Sequence, residues 1–248
     1  MHSLLTSPSV EIFCDAPHSG EKPTLFALGG RAPEPAWLAE FVRANGADVW
    51  GVDAGISACR AAGVPPSVIV GDMDSASRDD WEWASDLGAR EHRYDSAKNL
   101  TDFQLALDLW EPRGALVLTG CFGGRFDHLT SVANTFACSE KIKKAKKFPR
   151  CMIDHAEGIF LLSPPDGPKK IFLRFHRKIK AISLLPMTEI CRGVSIRGVR
   201  WPLTDVSLER AYPWAVSNEL AAGGDGTAEV CCAEGVLAVY WCGAEGLL

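Results

Sequence analysis

Four short apolar runs alternate with amphipathic segments over residues 24 to 119, and this alternation is the strongest constraint on the fold. The predicted strands cover residues 24–28, 48–52, 67–70 and 115–119. The predicted helices cover residues 35–44, 56–62, 78–87 and 102–110, and a further helix is predicted over residues 128–146. Strands that alternate with helices form a wound, mostly parallel sheet with helices packed on its faces.

After Cys151 the pattern changes to short strand-like runs separated by Gly and Pro. These runs cover residues 159–162, 171–175, 181–185, 193–196, 229–232 and 237–241. Such spacing without helices predicts a small antiparallel β-sandwich. We therefore expect an α/β domain over residues 1–155, in which residues 1–20 are an extension, followed by a smaller all-β sandwich domain over residues 156–248.

The composition excludes several classes of protein. Apolar residues make up 47% and charged residues 23% of the 248 positions, as in ordinary globular proteins. No apolar stretch approaches the roughly 20 residues that a membrane span requires. The formal charge of -5 argues against a nucleic-acid partner. The nine cysteines lack the spacing of a zinc site, so we expect reduced thiols and a cytoplasmic protein.

The segment that concentrates the most candidate functional side chains is residues 70–75, Val-Gly-Asp-Met-Asp-Ser. Asp72 and Asp74 leave the carboxyl end of a predicted strand, the edge at which open α/β sheets bind their ligands. Two carboxylates about 4 Å apart repel by roughly 4 kcal/mol at an effective dielectric near 20, and a divalent cation removes that cost. Magnesium suits such ligands and usually accompanies phosphates. Such pairs also cap helices or lie in solvent, so this pair alone does not identify a function.

Glycines and a further aspartate follow two other strands at the same predicted edge. Gly29 and Gly30 follow the first strand, where glycines let backbone amides approach a phosphate closely. A simple tight turn is the commoner explanation of such a pair. Asp53 directly follows the second strand. These positions make Gly29, Gly30 and Asp53 candidates for contact with a phosphorylated ligand.

Two predicted helix starts carry capping or charged residues. Thr101 is a candidate helix cap, and Asp102 in the first turn complements the helix dipole. Arg125, Asp127 and His128 place a guanidinium, a carboxylate and an imidazole at the start of the next helix. The arginine fork matches phosphate oxygens, while Asp127 either orients that arginine or caps the helix.

With these residues assembled, the chain resembles the thiamine pyrophosphokinase family, which moves a diphosphate from ATP to thiamine. The matching segments, in chain order, are Val-Asp-Ala-Gly at 52–55, Gly-Asp-Met-Asp-Ser at 71–75, Thr-Asp at 101–102, Gly-Arg-Phe-Asp-His at 124–128, Gly-Val-Arg-Trp-Pro-Leu at 198–203 and Ser-Asn-Glu at 217–219. Each segment is a modest signal, but six in this order are specific.

The resemblance implies ATP as co-substrate, magnesium as cofactor, and a homodimer with a shared active site. The implied metal ligands are Asp72, Asp74 and Asp102, which together with Arg125 are the implied catalytic residues. The implied ATP-binding residues are Gly29, Gly30, Asp53, Ser75, Thr101, Arg125, Asp127 and His128. The implied thiamine-binding residues are Trp201, Ser217 and Asn218, which would contact a thiamine bound to the partner subunit.

Two other classes of function stay open from the residues alone. Another DxD metal-dependent transferase would also bind a nucleotide diphosphate, but it leaves Trp201 and Ser217 without a role. A non-catalytic module that binds nucleotide or thiamine would be expected to lack the metal carboxylates, which are present. One departure bears on nucleotide and metal binding, because Asn99 stands where the family often carries an aspartate, beside an unusual Lys98.

Overall fold

The computed structural model describes residues 2–16, 20–72, 76–95, 97 and 99–244. The part of the chain up to residue 153 begins with three strands, after which helices and strands alternate up to residue 119, and two consecutive helices precede the last strand. The strands of this part are β1 (His2–Thr6), β2 (Val10–Cys14), β3 (Thr24–Ala27), β4 (Asp48–Val52), β5 (Val68–Gly71), β6 (Arg90–Arg93), β7 (Leu116–Thr119) and β8 (Arg150–Ile153). The helices are α1 (Pro35–Asn45), α2 (Gly55–Ala61), α3 (Arg78–Asp86), α4 (Asp102–Leu109), α5 (Phe126–Cys138) and α6 (Glu140–Lys144).

The described residues beyond 153 form strands and no helix. These strands are β9 (Glu157–Leu162), β10 (Lys170–Phe175), β11 (Ile179–Pro186), β12 (Ile190–Arg197), β13 (Leu203–Glu209), β14 (Thr227–Cys231) and β15 (Leu237–Gly243). Among the helices in the described part of the chain, none combines the length and the apolar character needed to cross a membrane.

The helix predicted over residues 128–146 forms as two helices, because Ser139 interrupts it. Ser139 has an extended conformation, with φ −63° and ψ 155°, and its hydroxyl accepts a hydrogen bond from the Ile142 N–H at 3.4 Å. A serine in this position caps a new helix instead of continuing the previous one. The apolar spacing predicted the helical segment but not its interruption.

The larger sheet has nine strands in the order β11-β15-β9-β8-β7-β3-β4-β5-β6. The six strands from β8 to β6 in this order run parallel, as the alternating pattern predicted. The chain winds outward from β3 through β4, β5 and β6, then returns to the other side of β3 with β7. The topological switch point therefore lies between β3 and β7, where α/β sheets bind their ligands.

The second half of the chain does not form a sandwich by itself, in contrast to the prediction. Strands β9, β15 and β11 extend the nine-stranded sheet with antiparallel pairing. The second sheet, in the order β1-β2-β10-β14-β12-β13, takes its first two strands from the N-terminus. Residues 1–20 were predicted as an extension, but residues 2–6 and 10–14 form β1 and β2, and β2 pairs with β10.

The sandwich forms where the second sheet packs on the antiparallel end of the first. Ile12, Leu173, Ile182 and Val239, which come from both sheets, belong to one buried hydrophobic cluster. Strand pairing over more than 150 residues leaves no local pattern in the sequence, so the N-terminal hairpin was missed. The boundary predicted at residue 155 falls in the β8–β9 connection, inside a continuous sheet, and remains a prediction.

Candidate active site

Three aspartates from separate segments meet at the carboxyl edge of the parallel strands. Asp53 follows β4, Asp72 follows β5, and Asp102 is the first residue of α4. One carboxylate oxygen of each lies within 4.8 Å of the other two, and all three residues are half-buried. We call this group the carboxylate cluster. It offers three hard oxygen ligands, which is the type of ligand that magnesium prefers.

The carboxylate cluster differs in one member from the predicted metal ligands. The structure brings Asp72 and Asp102 together, while Asp74 and Ser75 lie outside the described residues. The third member is Asp53, which was predicted to bind ATP. The sequence position of Asp53 could have indicated that it belongs to the cluster, because Asp53 follows β4 just as Asp72 follows the neighbouring strand β5. The metal-binding role of these residues stays a prediction.

The backbone at Asp53 has an uncommon conformation, with φ +53°. The Asp53 N–H donates to the Val70 carbonyl at 2.8 Å, which holds the residue against β5. Aspartate tolerates left-handed geometry better than most residues, and such strain is concentrated at functional sites. Gly55 lies so close to the Ala27 carbonyl that any Cβ there would overlap it. The close approach of α2 to β3 therefore requires this glycine.

The loops after β3 and β7 lie against each other at the topological switch point. The Gly30 N–H donates to the Gly120 carbonyl at 2.6 Å, and the Arg31 N–H donates to the Phe122 carbonyl at 2.7 Å. A Cβ on Gly30 would lie only 2.8 Å from the Phe122 carbonyl oxygen, so this contact favours glycine. The Gly30 amide is thus committed to the neighbouring loop, and ATP binding by Gly29 and Gly30 stays a prediction.

Thr101 positions Asp102 by capping α4. The Thr101 hydroxyl accepts from the Gln104 N–H at 3.3 Å, and the Gln104 side-chain oxygen accepts from the Thr101 N–H at 3.0 Å. This reciprocal pair is a capping box, which fixes the first turn of the helix. The capping alternative for Thr101 is thereby confirmed, while its contact with ATP stays a prediction. Asn99 is exposed just before the cap, and Lys98 lies outside the described residues.

Arg125 and Asp127 form an ion pair on the surface at the start of α5. The Arg125 Nε and Nη2 donate to the two Asp127 carboxylate oxygens at 3.1 and 2.6 Å. The hydrogen bond from Arg125 is the main reason that the pKa of Asp127 is lowered. Asp127 also accepts from the His128 N–H at 3.0 Å. Asp127 therefore orients Arg125, whereas no side chain among the described residues caps α5, because Asp127 lies inside the first turn. ATP contacts of the three residues stay predictions.

Two tryptophans and Asn218 line an apolar cleft of about 170 Å³ in the second half of the chain. Trp201 is 51% exposed and Trp214 is 48% exposed, and residues of β11, β12 and β13 form the rest of this tryptophan cleft. Trp201 and Asn218 were predicted as thiamine ligands, whereas Trp214 was missed. The sequence did contain a signal for Trp214, because an aromatic residue three positions before Ser217 lies close to a predicted thiamine ligand.

Asn218 holds the backbone of Trp201 in place. The Asn218 side-chain oxygen accepts from the Trp201 N–H at 3.1 Å, and its amide nitrogen donates to the Trp201 carbonyl at 2.7 Å. The Arg200 guanidinium lies 4.6 Å from the centre of the Trp201 ring and covers one face. Ser217 has φ +59°, and its N–H donates to the Ser183 hydroxyl at 3.0 Å. Thiamine contacts of Trp201, Ser217 and Asn218 stay predictions.

The carboxylate cluster and the tryptophan cleft lie far apart within one chain. The cleft includes Ile182 and Leu184 of β11, the first strand in the order of the nine-stranded sheet, whereas Asp53 follows β4, the seventh. Six steps of about 4.8 Å between neighbouring strands give a separation of roughly 29 Å. A single chain therefore does not bring the two regions together.

Comparison with known proteins gives matches along most of the chain. Residues 44–147 match the family model of the thiamin pyrophosphokinase catalytic domain, and residues 170–237 match that of the thiamin pyrophosphokinase vitamin B1 binding domain. Thiamine pyrophosphokinase of Bacillus subtilis (strain 168) is 26% identical over 172 residues, which cover 68% of this chain and 77% of that protein.

Solved structures with the same fold carry related names. The crystal structure of thiamine pyrophosphokinase from Bacillus subtilis has a TM-score of 0.71 at 21% identity and covers 90% of this chain and 99% of that one. The crystal structure of yeast thiamin pyrophosphokinase has a TM-score of 0.66 at 15% identity and covers 94% and 90% of the two chains. At these identities the two structures establish a shared fold.

The two family models are adjacent halves of one enzyme family, in the order catalytic domain and then vitamin B1 binding domain. Together they span more than two thirds of the chain. The alternatives of another DxD transferase or a non-catalytic binding module are not favoured by these matches. The chain therefore belongs to the thiamin pyrophosphokinase family of diphosphotransferases, which use ATP and thiamine.

Proposed function

We propose that the carboxylate cluster binds Mg²⁺ with the phosphates of ATP, and that diphosphate is transferred there to the hydroxyl of thiamine, giving thiamine diphosphate and AMP. The observation that carries this proposal is the meeting of Asp53, Asp72 and Asp102 within 4.8 Å. Each pair of such charges repels by about 3 to 4 kcal/mol at an effective dielectric near 20, which favours a bound divalent cation. Magnesium in this position would neutralise negative charge on the diphosphate during transfer.

The chain's own residues supply alignment, which is the main requirement of phosphoryl-type transfer. The Asp53 N–H is held by the Val70 carbonyl, Asp72 directly follows β5, and Asp102 begins a helix that the capping box of Thr101 fixes. Asp74 and Ser75 follow Asp72 directly and complete the predicted set of ligands for metal and nucleotide. The reacting groups are thereby held by rigid elements of the fold.

Arg125 is the residue that we propose to meet the ATP phosphates. Its guanidinium side chain is 74% exposed, and its partner Asp127 is 63% exposed. Because exposed ion pairs contribute little free energy, a phosphate with several negative charges competes well for the same guanidinium. Asp127 keeps the arginine oriented until the nucleotide arrives, and His128 lies beside it at the start of the helix.

The tryptophan cleft is the proposed thiamine site. Thiamine carries a cationic ring, and such rings bind aromatic faces with about 1 to 2 kcal/mol when water is excluded. One face of Trp201 is covered by Arg200, so we expect thiamine to use the other face together with Trp214. Asn218 holds the Trp201 backbone, and Ser217 lies beside it.

We propose a homodimer in which the carboxylate cluster of one subunit faces the tryptophan cleft of its partner. The separation of roughly 29 Å within one chain supports this arrangement, since six interstrand steps of about 4.8 Å are far more than a transferred diphosphate can bridge. A two-fold axis would create two equivalent sites from two chains. Sedimentation at micromolar concentration tests the oligomeric state, and a monomer with full activity would contradict the shared site.

The direct test is a product assay with the purified chain. We expect AMP and thiamine diphosphate in equal amounts when ATP, Mg²⁺ and thiamine are all present, and neither product when any one is omitted. Asp72→Asn should abolish turnover with the melting temperature unchanged. Asp86→Asn, which alters an exposed aspartate at the end of α3, is the matched control and should keep full activity. Near-normal turnover of Asp72→Asn would refute the metal assignment.

We also propose a cytoplasmic location. All nine cysteines are free thiols, seven of them buried and two half-buried. Free thiols persist in reducing compartments, whereas exported proteins usually oxidise theirs. Fractionation of cells that produce the chain tests this proposal, and recovery outside the cytoplasm would contradict it.

A further inference from the structure

A second cavity, of about 410 Å³, lies at the junction of the two sheets. Its walls come from the β1–β2 turn, the β8–β9 connection, the turn after β10 and the end of β15. We call it the junction cavity. The lining residues that matter below are Ser9, Glu157, Phe175, Arg177, Lys178 and Trp241.

Most of the junction cavity lies outside the segments that match the family models. Ser9, Glu157 and Trp241 fall before, between and after the matched residues 44–147 and 170–237, while Phe175, Arg177 and Lys178 fall within the second match. The cavity also shares no residue with the carboxylate cluster or the tryptophan cleft. It is therefore a feature of this chain beyond the expected substrate sites.

The walls of the junction cavity combine aromatic surface with positive charge. The rings of Phe175 and Trp241 meet edge to face, with their centres 6.2 Å apart, and both are largely buried, so that a small part of each ring reaches the cavity. Arg177 and Lys178 are exposed, and within the described ranges no carboxylate lies at ion-pair distance from either side chain. A cavity of this size, mostly apolar with a few polar groups, is typical of small-molecule sites.

The one carboxylate in the lining, Glu157, shares the Arg31 guanidinium with Asp154, which lies outside the lining. Glu157 accepts from the Arg31 Nη2 at 2.6 Å and from the Tyr240 hydroxyl at 2.8 Å. His155 also lines the cavity, and its Nδ1 accepts from the Glu34 N–H at 3.1 Å. The lining contains two cations, Arg177 and Lys178, against the one carboxylate of Glu157, so the net charge that the cavity presents to a ligand is positive.

We propose that the junction cavity binds a small anion that carries a planar ring, such as an aryl phosphate or an aryl carboxylate. The ring packs on Phe175 and Trp241, and the anionic group pairs with Arg177 and Lys178. Partly desolvated ion pairs of this kind and aromatic contacts reinforce each other, because each excludes water from the other.

The same cavity is connected to the loops at the switch point through Glu157. Arg31, which pairs with Glu157, has its guanidinium carbon 5.9 Å from the centre of the Phe122 ring. The Arg31 backbone N–H donates to the Phe122 carbonyl. A ligand that contacts Glu157 therefore acts on the loop next to Gly30 and Gly120. We expect occupancy to change the apparent KM for ATP, and this part of the inference rests on the function proposed above.

Calorimetry with phenyl phosphate, in the absence of nucleotide and thiamine, tests the binding site independently of activity. We expect one site per chain, and at least tenfold weaker binding to the double variant Arg177→Glu, Lys178→Glu. The matched control Lys144→Glu, Lys180→Glu makes the same charge change at exposed lysines outside the cavity and should bind normally. No binding at millimolar concentration, or equal weakening in both double variants, would overturn the proposal.

Two further measurements keep the result specific. Inorganic phosphate and phenol should each bind at least tenfold more weakly than phenyl phosphate, and Ser9→Trp should block binding by filling the cavity with the melting temperature preserved. Equal binding of inorganic phosphate would overturn the ring requirement. In the turnover assay, the effect of phenyl phosphate on the KM for ATP should disappear in the Arg177→Glu, Lys178→Glu variant, and its persistence would overturn the link to the ATP loops.

Discussion

The carboxylate cluster and the tryptophan cleft are built in different ways. The three aspartates of the cluster are half-buried and lie on loops between hydrogen-bonded parallel strands or at a capped helix start. Trp201 and Trp214 of the cleft are about half exposed and lie on irregular segments, and Asn218 holds the backbone of Trp201. The first region is thus placed by strand pairing and helix capping, whereas the second presents a partly exposed aromatic surface.

This contrast separates the two tasks of the proposed reaction. Alignment of charged groups requires fixed positions, and parallel strands buried on both faces supply them. Recognition of a cationic ring gains most when water is excluded from the aromatic surface, which a half-exposed cleft achieves only when it is covered. We therefore expect substitutions in the cluster to lower kcat and substitutions in the cleft to raise the KM for thiamine.

After Asp72→Asn, the largest effect is expected from Asp53→Asn. Asparagine tolerates the positive φ at this position, so the fold is kept while one negative ligand is lost. Metal stabilisation of transferred charge is worth several kcal/mol, so kcat should fall by about 10³-fold. Steady-state kinetics at saturating ATP and thiamine measures this. Asp86→Asn is again the control, and a loss of less than tenfold would place Asp53 outside the metal site.

A mixture of Asp53→Asn and Trp201→Ala, assayed with thiamine well below its KM so that each variant alone turns over slowly, tests whether the two regions come from different subunits. Asp53→Asn and Trp201→Ala should each be impaired, but after unfolding and refolding together half of the dimers contain one of each. Every such dimer has one site with an intact cluster and an intact cleft, so activity should recover to about one quarter of the wild-type value. No recovery above the sum of the separate variants would contradict the shared site.

Trp201→Ala by itself should act on thiamine binding and leave ATP binding unchanged. Loss of about 1 to 2 kcal/mol of aromatic contact raises the KM for thiamine roughly 5- to 30-fold. Initial rates at varied thiamine and fixed saturating ATP give this value. Trp83→Ala, at a tryptophan of α3 away from the cleft, serves as the control. A matching rise in the KM for ATP would show that the cleft is not specific to thiamine.

Asn218→Ala should give the smallest change. Asn218 acts through the backbone of Trp201, and each lost hydrogen bond is worth about 1 kcal/mol, so the KM for thiamine should rise about 3- to 10-fold. Asn218→Asp keeps the oxygen that accepts from the Trp201 N–H and should recover part of the loss. If Asn218→Asp were as impaired as Asn218→Ala, the side-chain amide would have a role beyond holding Trp201.

The parallel part of the fold was predictable because its signals are local. Strands β4, β5 and β7 are short, mostly apolar runs, and Gly46 ends α1 in a left-handed conformation. The cap at Ser139 was missed because apolar spacing continues through it. The hairpin β1–β2 was missed because its pairing partner β10 lies more than 150 residues away.

The candidate site was also predictable only in part. Asp72 was identified from its place after a strand and Asp102 from the family resemblance, and the structure brings them together. The inclusion of Asp53 depends on β4 and β5 being neighbours, which only strand order decides. Trp214 was missed because its place beside Trp201 depends on the path of an irregular loop.

The sequence by itself determined the wound parallel sheet, the carboxylates at its edge and the family of the chain, since these depend on the order of short segments. Only the tertiary structure decided that the second half extends the first sheet, that β1 and β2 complete the sandwich, and that the cleft lies far from the cluster. The reason is physical, because long-range strand pairing follows from burial of whole sheet faces, and no short segment contains that information.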